Sequence, residues 1–291
     1  MTPRARRLAL PTGLTYHALE WGQGDHTVVL VHGFLDLAWG WAAVAERLAA
    51  RFHVVAPDLR GHGDSDWIGP GGYYHFFDYV ADLDAIVARV GRTTVSVVGH
   101  SMGGSVAGYW AGTRPARVHR LALLEGLGPP ESGPDLPGRT RGWIDAWRAH
   151  GARVPRGLRD LDDAAARLRK HDPLLGADDA RALAVHGTRP SRGGGVVWKH
   201  DPLHLTQGPY PYRSDTAAIF WQQVSAPVLY LEGAQSRLRL PDAEVDRRLA
   251  AFPSARRAVV PGAGHMLQRN APASVADALT AHLASVAPAH V

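Results

Sequence analysis

Apolar positions along the chain fall into short unbroken runs that alternate with longer amphipathic stretches. Thr15–Trp21 and Thr27–Val31 read as strands separated by a turn at Gly22–Asp25. The second run is almost wholly apolar, as a strand buried on both faces of a parallel sheet should be, and it ends in His32-Gly33-Phe34-Leu35-Asp36. Trp41–Ala50 has the spacing of an amphipathic helix, and Phe52–Ala56 that of a strand. A loop rich in glycine follows, Pro57-Asp58-Leu59-Arg60-Gly61-His62-Gly63-Asp64-Ser65. Val80, Leu83 and Val87 set a helix over Asp78–Val90, and Thr94–Val98 is again a strand. Met102–Gly112 is a helix of small residues, able to approach a sheet closely, and Val118–Leu124 is another apolar strand. This alternation predicts an α/β fold with a mostly parallel central sheet and helices on both faces.

The alternation stops after Leu124. From Gly126 to Gln223 the composition shifts toward Pro, Gly, Arg and His, with short helical patterns at Thr140–His150, Asp160–His171 and Asp178–His186. Sheet signals return at Pro227–Leu231 and Ala258–Val260, and a helix near Ala273–Ala284 closes the chain. The expected organisation is a core formed by residues 1–125 and 224–291, interrupted by an inserted helical cap subdomain over 126–223. Trp143, Trp147, Trp198 and Trp221 argue for a packed interior in that segment and against a disordered linker. The chain contains no internal repeat.

Composition removes several function classes. With 291 residues, 45% hydrophobic and 20% charged, the chain is an ordinary globular one, long enough for such a core and its insertion. It has no cysteine, which excludes disulfides, thiolate metal sites and a cysteine nucleophile. The 16 histidines invite a metal site, but most stand singly and none shows H-E-x-x-H or comparable spacing, so no metal or other cofactor is expected. The net charge of +5 comes from arginines scattered among acids, without a basic run joined to stacking aromatics; nucleic acid is not an expected partner. No stretch approaches the ~18 apolar residues of a membrane span. Met1–Leu10 holds Arg4, Arg6 and Arg7 but no apolar core of signal-peptide length. A soluble, cytoplasmic protein acting on a small molecule is the expectation.

Candidate chemistry centres on Val95–Gly104, V-S-V-V-G-H-S-M-G-G. A strand breaking into G-x-S-x-G and then a helix is the context of a nucleophile elbow, a sharp turn that lifts the serine, here Ser101, out of the sheet edge. A serine hydroxyl is a weak nucleophile at neutral pH and needs a base, an orienting acid and donors for an oxyanion. His265 in Gly262-Ala263-Gly264-His265-Met266 is the candidate base, because flanking glycines let a loop carry its imidazole over the sheet edge. The N–H of Met102, at the positive start of a helix, and the N–H of Phe34 are the candidate oxyanion donors. For the acid, Glu125 ends the strand before the insertion, where an α/β sheet places its active groups; Glu232 and Asp242 follow in that order. Asp58 reads as a residue that fixes its own loop.

In His32-Gly33-Phe34-Leu35-Asp36, Asp58-Leu59-Arg60-Gly61-His62-Gly63-Asp64-Ser65, Gly99-His100-Ser101-Met102-Gly103-Gly104 and Gly262-Ala263-Gly264-His265 the chain resembles α/β-hydrolase fold proteins over essentially its whole length. Leu124-Glu125-Gly126-Leu127-Gly128-Pro129-Pro130 and Trp198-Lys199-His200-Asp201-Pro202 make it most similar to the serine hydrolase-like branch. The resemblance implies chain order serine, acid, histidine. Many relatives carry the acid as an aspartate a few residues past the strand after the insertion, where this chain has Gln235 and Ser236. Haloalkane dehalogenases of this fold place it after the strand that Glu125 ends. Dehalogenases and epoxide hydrolases attack with an aspartate, so Ser101 points away from both. A carboxylic ester hydrolase for small to medium apolar esters is the first expectation, with Trp39, Trp143 and Trp147 as candidate walls of the substrate pocket. Lactonase, carbon–carbon bond hydrolase or perhydrolase chemistry on the same three groups is an alternative. A non-catalytic ligand-binding module of the same fold is another; covalent labelling and turnover separate it from the enzymes.

Overall fold

Val29 and Val31 face one side of their strand while Val28 and Leu30 face the other, and both sides are covered. Because side chains alternate across a strand, burial on both faces requires an unbroken apolar run. The same division runs through the neighbouring strands: Val97, Leu121, Leu123 and Tyr230 join one hydrophobic cluster, and Val98, Ala122, Leu124 and Leu231 the other. The computed structural model describes residues 1–90, 92, 94–150 and 157–284.

The strands of the main sheet are β1 (Arg4–Ala9), β2 (Thr15–Trp21), β3 (Thr27–Val31), β4 (His53–Pro57), β5 (Val95–His100) and β6 (Val118–Leu124). After a short hairpin of β7 (Thr188–Pro190) and β8 (Val196–Trp198), β9 (Val228–Gly233) and β10 (Ala255–Val260) complete it. The eight strands lie in the order β1-β2-β4-β3-β5-β6-β9-β10. Pairing is antiparallel only between β1 and β2 and between β2 and β4; from β4 to β10 it is parallel. One face is covered by α2 (Phe76–Val90), α3 (Met102–Thr113) and α7 (Ser214–Trp221), the other by α1 (Ala42–Leu48), the short α9 (Leu267–Asn270) and α10 (Pro272–Ala284). The expected α/β-hydrolase architecture is therefore the observed one.

Several elements differ from the sequence reading. β1 was not anticipated, because Arg4 and Arg6 interrupt any apolar pattern; they pair with Glu20 of β2 at 3.0 and 2.8 Å, while Leu8 is buried. The helix expected over Trp41–Ala50 divides into a tight turn at Ala38–Trp41 and α1. An additional helix, α8 (Asp242–Leu249), is supported by Arg247 and Arg248 pairing with Glu244. Trp221 stacks on Phe252 with ring centroids 5.1 Å apart, and its indole lies against Gly108 of α3, so it belongs to the sheet's core cluster.

Within 126–223 the described helices are α4 (Leu136–His150), α5 (Leu161–His171), α6 (Ala177–Gly187) and α7. Leu158, Ala164 and Ala184 form a small core between α5, α6 and the hairpin. Trp67 Nε1 donates to Lys199 O (2.9 Å), Lys199 Nζ pairs with Asp64 (2.8 Å), and Tyr74 donates to Asp201 Oδ2 (2.8 Å), which fasten residues 199–201 to the loops of the sheet. No described helix is long and apolar enough to cross a membrane.

Candidate active site

Strand register brings the candidate groups to one edge. Val31 of β3 lies beside Gly99 of β5, His100 beside Leu124 of β6, Leu124 beside Leu231 of β9, and Val260 of β10 beside Gly233. Parallel strands end together there, so the segments at 32–36, 101, 125, 233–236 and 262–265 leave the sheet as neighbours. Ser101 donates its N–H to Leu124 O and Glu125 donates its N–H to Leu231 O, both at 2.8 Å, which carries the ladder one residue beyond each strand.

Ser101 has φ 51 and ψ −119 and starts α3 without using its side chain as a cap. Serine at a helix start usually accepts a hydrogen bond from the first turn; here the hydroxyl accepts none. Such a turn needs its flanks bare. A methyl group on Gly99 would lie 2.4 Å from Gly103 O, and one on Gly103 would lie 2.4 Å from Val31 O and His32 O. Among the described residues, the non-glycine positions with left-handed backbone are Leu35 (φ 56), Ser101 and Glu125 (φ 45). All three follow strand ends at this edge, and strain of this kind costs about 1–3 kcal/mol each unless the surroundings hold it.

Glu125 and His265 are in contact. His265 Nδ1 lies 2.6 Å from Glu125 Oε2, with the carboxylate 3% exposed and the imidazole 21%. The same Oε2 accepts from Ser236 Oγ at 2.8 Å, and Oε1 accepts the Gly233 N–H at 2.9 Å. The other two acid candidates are engaged elsewhere. Glu232 is buried and accepts from Arg257 at 2.7 and 3.1 Å, while Asp242 is exposed and bonded by Arg239 and Arg257. Gln235 is exposed on the turn.

The segment with Phe34 lies against the elbow: a methyl group on Gly33 would fall 3.2 Å from Ser101 Cβ and 2.9 Å from His100 Nδ1. Phe34 is half exposed, and Met102 opens the first turn of α3, where amides have no acceptor within the helix. His100 is buried and its Nε2 donates to His265 O at 2.8 Å, which ties the His265 loop to the elbow. Burial, with His265 close by, holds its imidazole well below the ordinary range, so it stays neutral.

Histidines quoted in the sequence motifs, but given no task there, fasten these loops. His32 Nε2 accepts the Leu59 N–H at 2.8 Å, and His62 Nε2 accepts the Leu35 N–H at 3.2 Å. The His62 ring lies 4.2 Å from that of His204, which in turn is 3.8 Å from Tyr74. Burial pushes His204 down to about 3 and His200 down to about 4. Both bind protons more readily when unfolded, near pH 6.5. The unfolded chain therefore holds more protons below that pH, and stability falls as pH drops from about 6.5 toward 4. His204→Phe, which keeps a ring in the stack, is expected to flatten the pH dependence of urea unfolding in this window by up to about 1.4 kcal/mol per pH unit. An unchanged slope would show that His204 does not titrate in this way.

His17, Asp58 and Asp64 bring possible metal-ligating atoms within 4.8 Å of one another. Their atoms already have partners: Asp58 accepts from His17 Nδ1 (2.8 Å) and from the N–H groups of Ala38 (2.6 Å) and Asp64 (3.0 Å), and Lys199 holds Asp64. Burial alone would raise the Asp58 carboxyl, but these donors outweigh it and hold it below the usual range. The aromatic candidates fall into two groups. Trp143 and Trp147 stack on α4 at 5.1 Å, with Tyr73 edge-on to both, whereas Trp39 stacks on His186 of α6 at 3.7 Å.

A serine, an imidazole and a buried carboxylate at one sheet edge, beside a helix start, are the parts needed to activate a hydroxyl and receive negative charge. Comparison with known proteins bears on the fold family. The family model for the alpha/beta hydrolase fold matches residues 26–272. The 3-hydroxybutyrate-oligomer hydrolase of Cupriavidus necator is 30% identical over 286 residues, 92% of this chain and 93% of its own. The serine hydrolase-like protein of Danio rerio is 28% identical over 97% of this chain and 89% of its own. Among solved structures, a thioesterase domain from the curacin biosynthetic pathway superposes with a TM-score of 0.84 at 26% identity, covering 96% of this chain and 99% of that one. With the sheet order, the strained elbow and these matches together, the chain belongs to the α/β-hydrolase fold family, on its serine hydrolase-like branch.

Proposed function

We propose that this hydrolase cleaves carboxylic esters of small to medium size, with an apolar acyl or alcohol part, through an acyl-enzyme on Ser101. The observation that carries the reading is the 2.6 Å contact between His265 Nδ1 and the buried Glu125 Oε2, beside a serine whose strained backbone leaves its hydroxyl uncommitted as a cap. In the first step His265 takes the Ser101 proton as the hydroxyl oxygen adds to the ester carbonyl. The N–H groups of Phe34 and Met102 receive the oxyanion, and Glu125 balances the imidazolium. His265 then returns the proton to the leaving alcohol as the acyl-enzyme forms. Water, deprotonated by the same imidazole, adds to the acyl group and releases the acid and Ser101.

The substrate class rests on two supports. Trp143 and Trp147 of the 126–223 cap, with Tyr73 of the loop before α2 edge-on to them, offer an apolar wall, and Trp39 and His186 form a second aromatic group. The Cupriavidus relative is named for oligomers of 3-hydroxybutyrate, which are themselves chains of carboxylic esters. A fluorophosphonate probe, followed by peptide mass spectrometry, tests the activated serine. Labelling confined to Ser101 and absent from Ser101→Ala is the expected result. Folded wild-type protein that stays unlabelled would overturn the reading and favour ligand binding without turnover.

A further inference from the structure

Ser236 lies just past β9, and its hydroxyl is committed to Glu125. Ser236 Oγ donates to Glu125 Oε2 at 2.8 Å, the same oxygen that meets His265 Nδ1 at 2.6 Å. The hydroxyl is itself oriented: it accepts the Leu238 N–H at 3.3 Å, and the Ser236 N–H donates to Gly233 O at 3.1 Å. The Gly233 N–H occupies the other carboxylate oxygen. These donors come from β9 and the turn after it, across the insertion from Glu125.

A glutamate carries one more rotatable bond than an aspartate, and it loses more rotamer freedom when held in one geometry. Two oriented donors, one on each oxygen, fix the plane of the Glu125 carboxylate and therefore the direction from which Oε2 meets the imidazole. Glu125 Oε2, with His265 on one side and Ser236 on the other, has its position defined from both.

Resting on the triad reading above, we propose that Ser236 is a positioning residue for the reaction: its hydroxyl holds Glu125 Oε2 in line with His265 Nδ1 and does not itself touch substrate. The serine hydroxyl is spent as a donor to a carboxylate, which also sets Ser236 apart from a second nucleophile. The role needs only an O–H at this point, so threonine should retain it and alanine should not.

The test is steady-state hydrolysis of p-nitrophenyl butyrate by the full chain. Ser236→Ala is expected to lower kcat about tenfold, the size of one hydrogen bond to a charged acceptor, while KM stays within about twofold because no substrate contact is lost. Ser236→Thr should recover most of kcat. In a Glu125→Gln background, adding Ser236→Ala should change kcat little, since the carboxylate it positions is gone. Wild-type kcat in Ser236→Ala, or equal losses with and without Glu125, would overturn the proposal. A lower melting temperature in Ser236→Ala with kcat unchanged would assign the hydroxyl to stability alone. Fluorophosphonate labelling of the wild type is run alongside: if Ser101 is not labelled, the triad reading fails, whereas labelled Ser101 with an indifferent Ser236 sinks only the positioning role.

Discussion

Ser101→Ala is expected to remove ester turnover almost completely, lowering kcat by about 10⁴–10⁶-fold, the range found when a serine nucleophile is deleted. The fold should survive. Alanine keeps the Cβ of serine, faces the same backbone angles, and gives up no capping hydrogen bond, because Ser101 makes none at the start of α3. The cost of the φ 51 conformation is present in both proteins and cancels between them. Hydrolysis of p-nitrophenyl butyrate beside a thermal unfolding curve separates the two effects. Wild-type turnover in a folded Ser101→Ala protein would sink the acyl-enzyme mechanism.

Glu125→Gln is expected to be nearly as damaging, at about 10³–10⁴-fold in kcat, by the precedent of aspartate-to-asparagine replacement in a serine protease. The physical reason is the tautomer. Glutamine has one acceptor oxygen and one amide nitrogen, so it can present N–H groups to His265 Nδ1 where the carboxylate presents only lone pairs. An imidazole that accepts at Nδ1 carries its proton on Nε2 and cannot take one from Ser101. Glu232→Gln supplies the contrast. It disturbs the pairing with Arg257 and should lower the melting temperature while leaving kcat within about threefold. If Glu232→Gln were the change that stopped turnover, and Glu125→Gln were tolerated, the acid would have been assigned to the wrong strand.

The strands that were easiest to read in the sequence are those whose two faces are both buried. β3 and β5 appear as short, mostly apolar runs because both faces are buried, and β6 does so over Leu121–Leu124, past the buried Arg120 near its start. β1 escaped since its arginines find their partners in Glu20, a pairing that no local pattern records. α8 was hidden for a similar reason: of its eight residues Val245 and Arg248 are buried, and the arginine is accommodated by Glu244 and by the carbonyl groups of Leu127, Gly128 and Pro129. Ser101 and His265 could be singled out because glycines frame them within a few residues. The surroundings of Glu125 could not be, because its donors lie 108 and 111 residues further along the chain. Local spacing identifies a group with its own turn chemistry; a group defined by distant partners becomes visible only after the sheet is assembled.

The pairing of β6 with β9 has a consequence in time. These strands are immediate neighbours in the sheet, with Leu121 beside Val228, yet residues 125–227 separate them in the chain. Closing so long a loop must precede the contacts that reward it, which delays this step relative to the pairing of β3 with β4. A chain still emerging from the ribosome can therefore hold Ser101 on a formed elbow while Glu125 has neither its imidazole nor its two donors. Because Gly233, Ser236 and His265 all follow β6 by more than a hundred residues, the surroundings of Glu125 are the last part of this sheet edge to assemble.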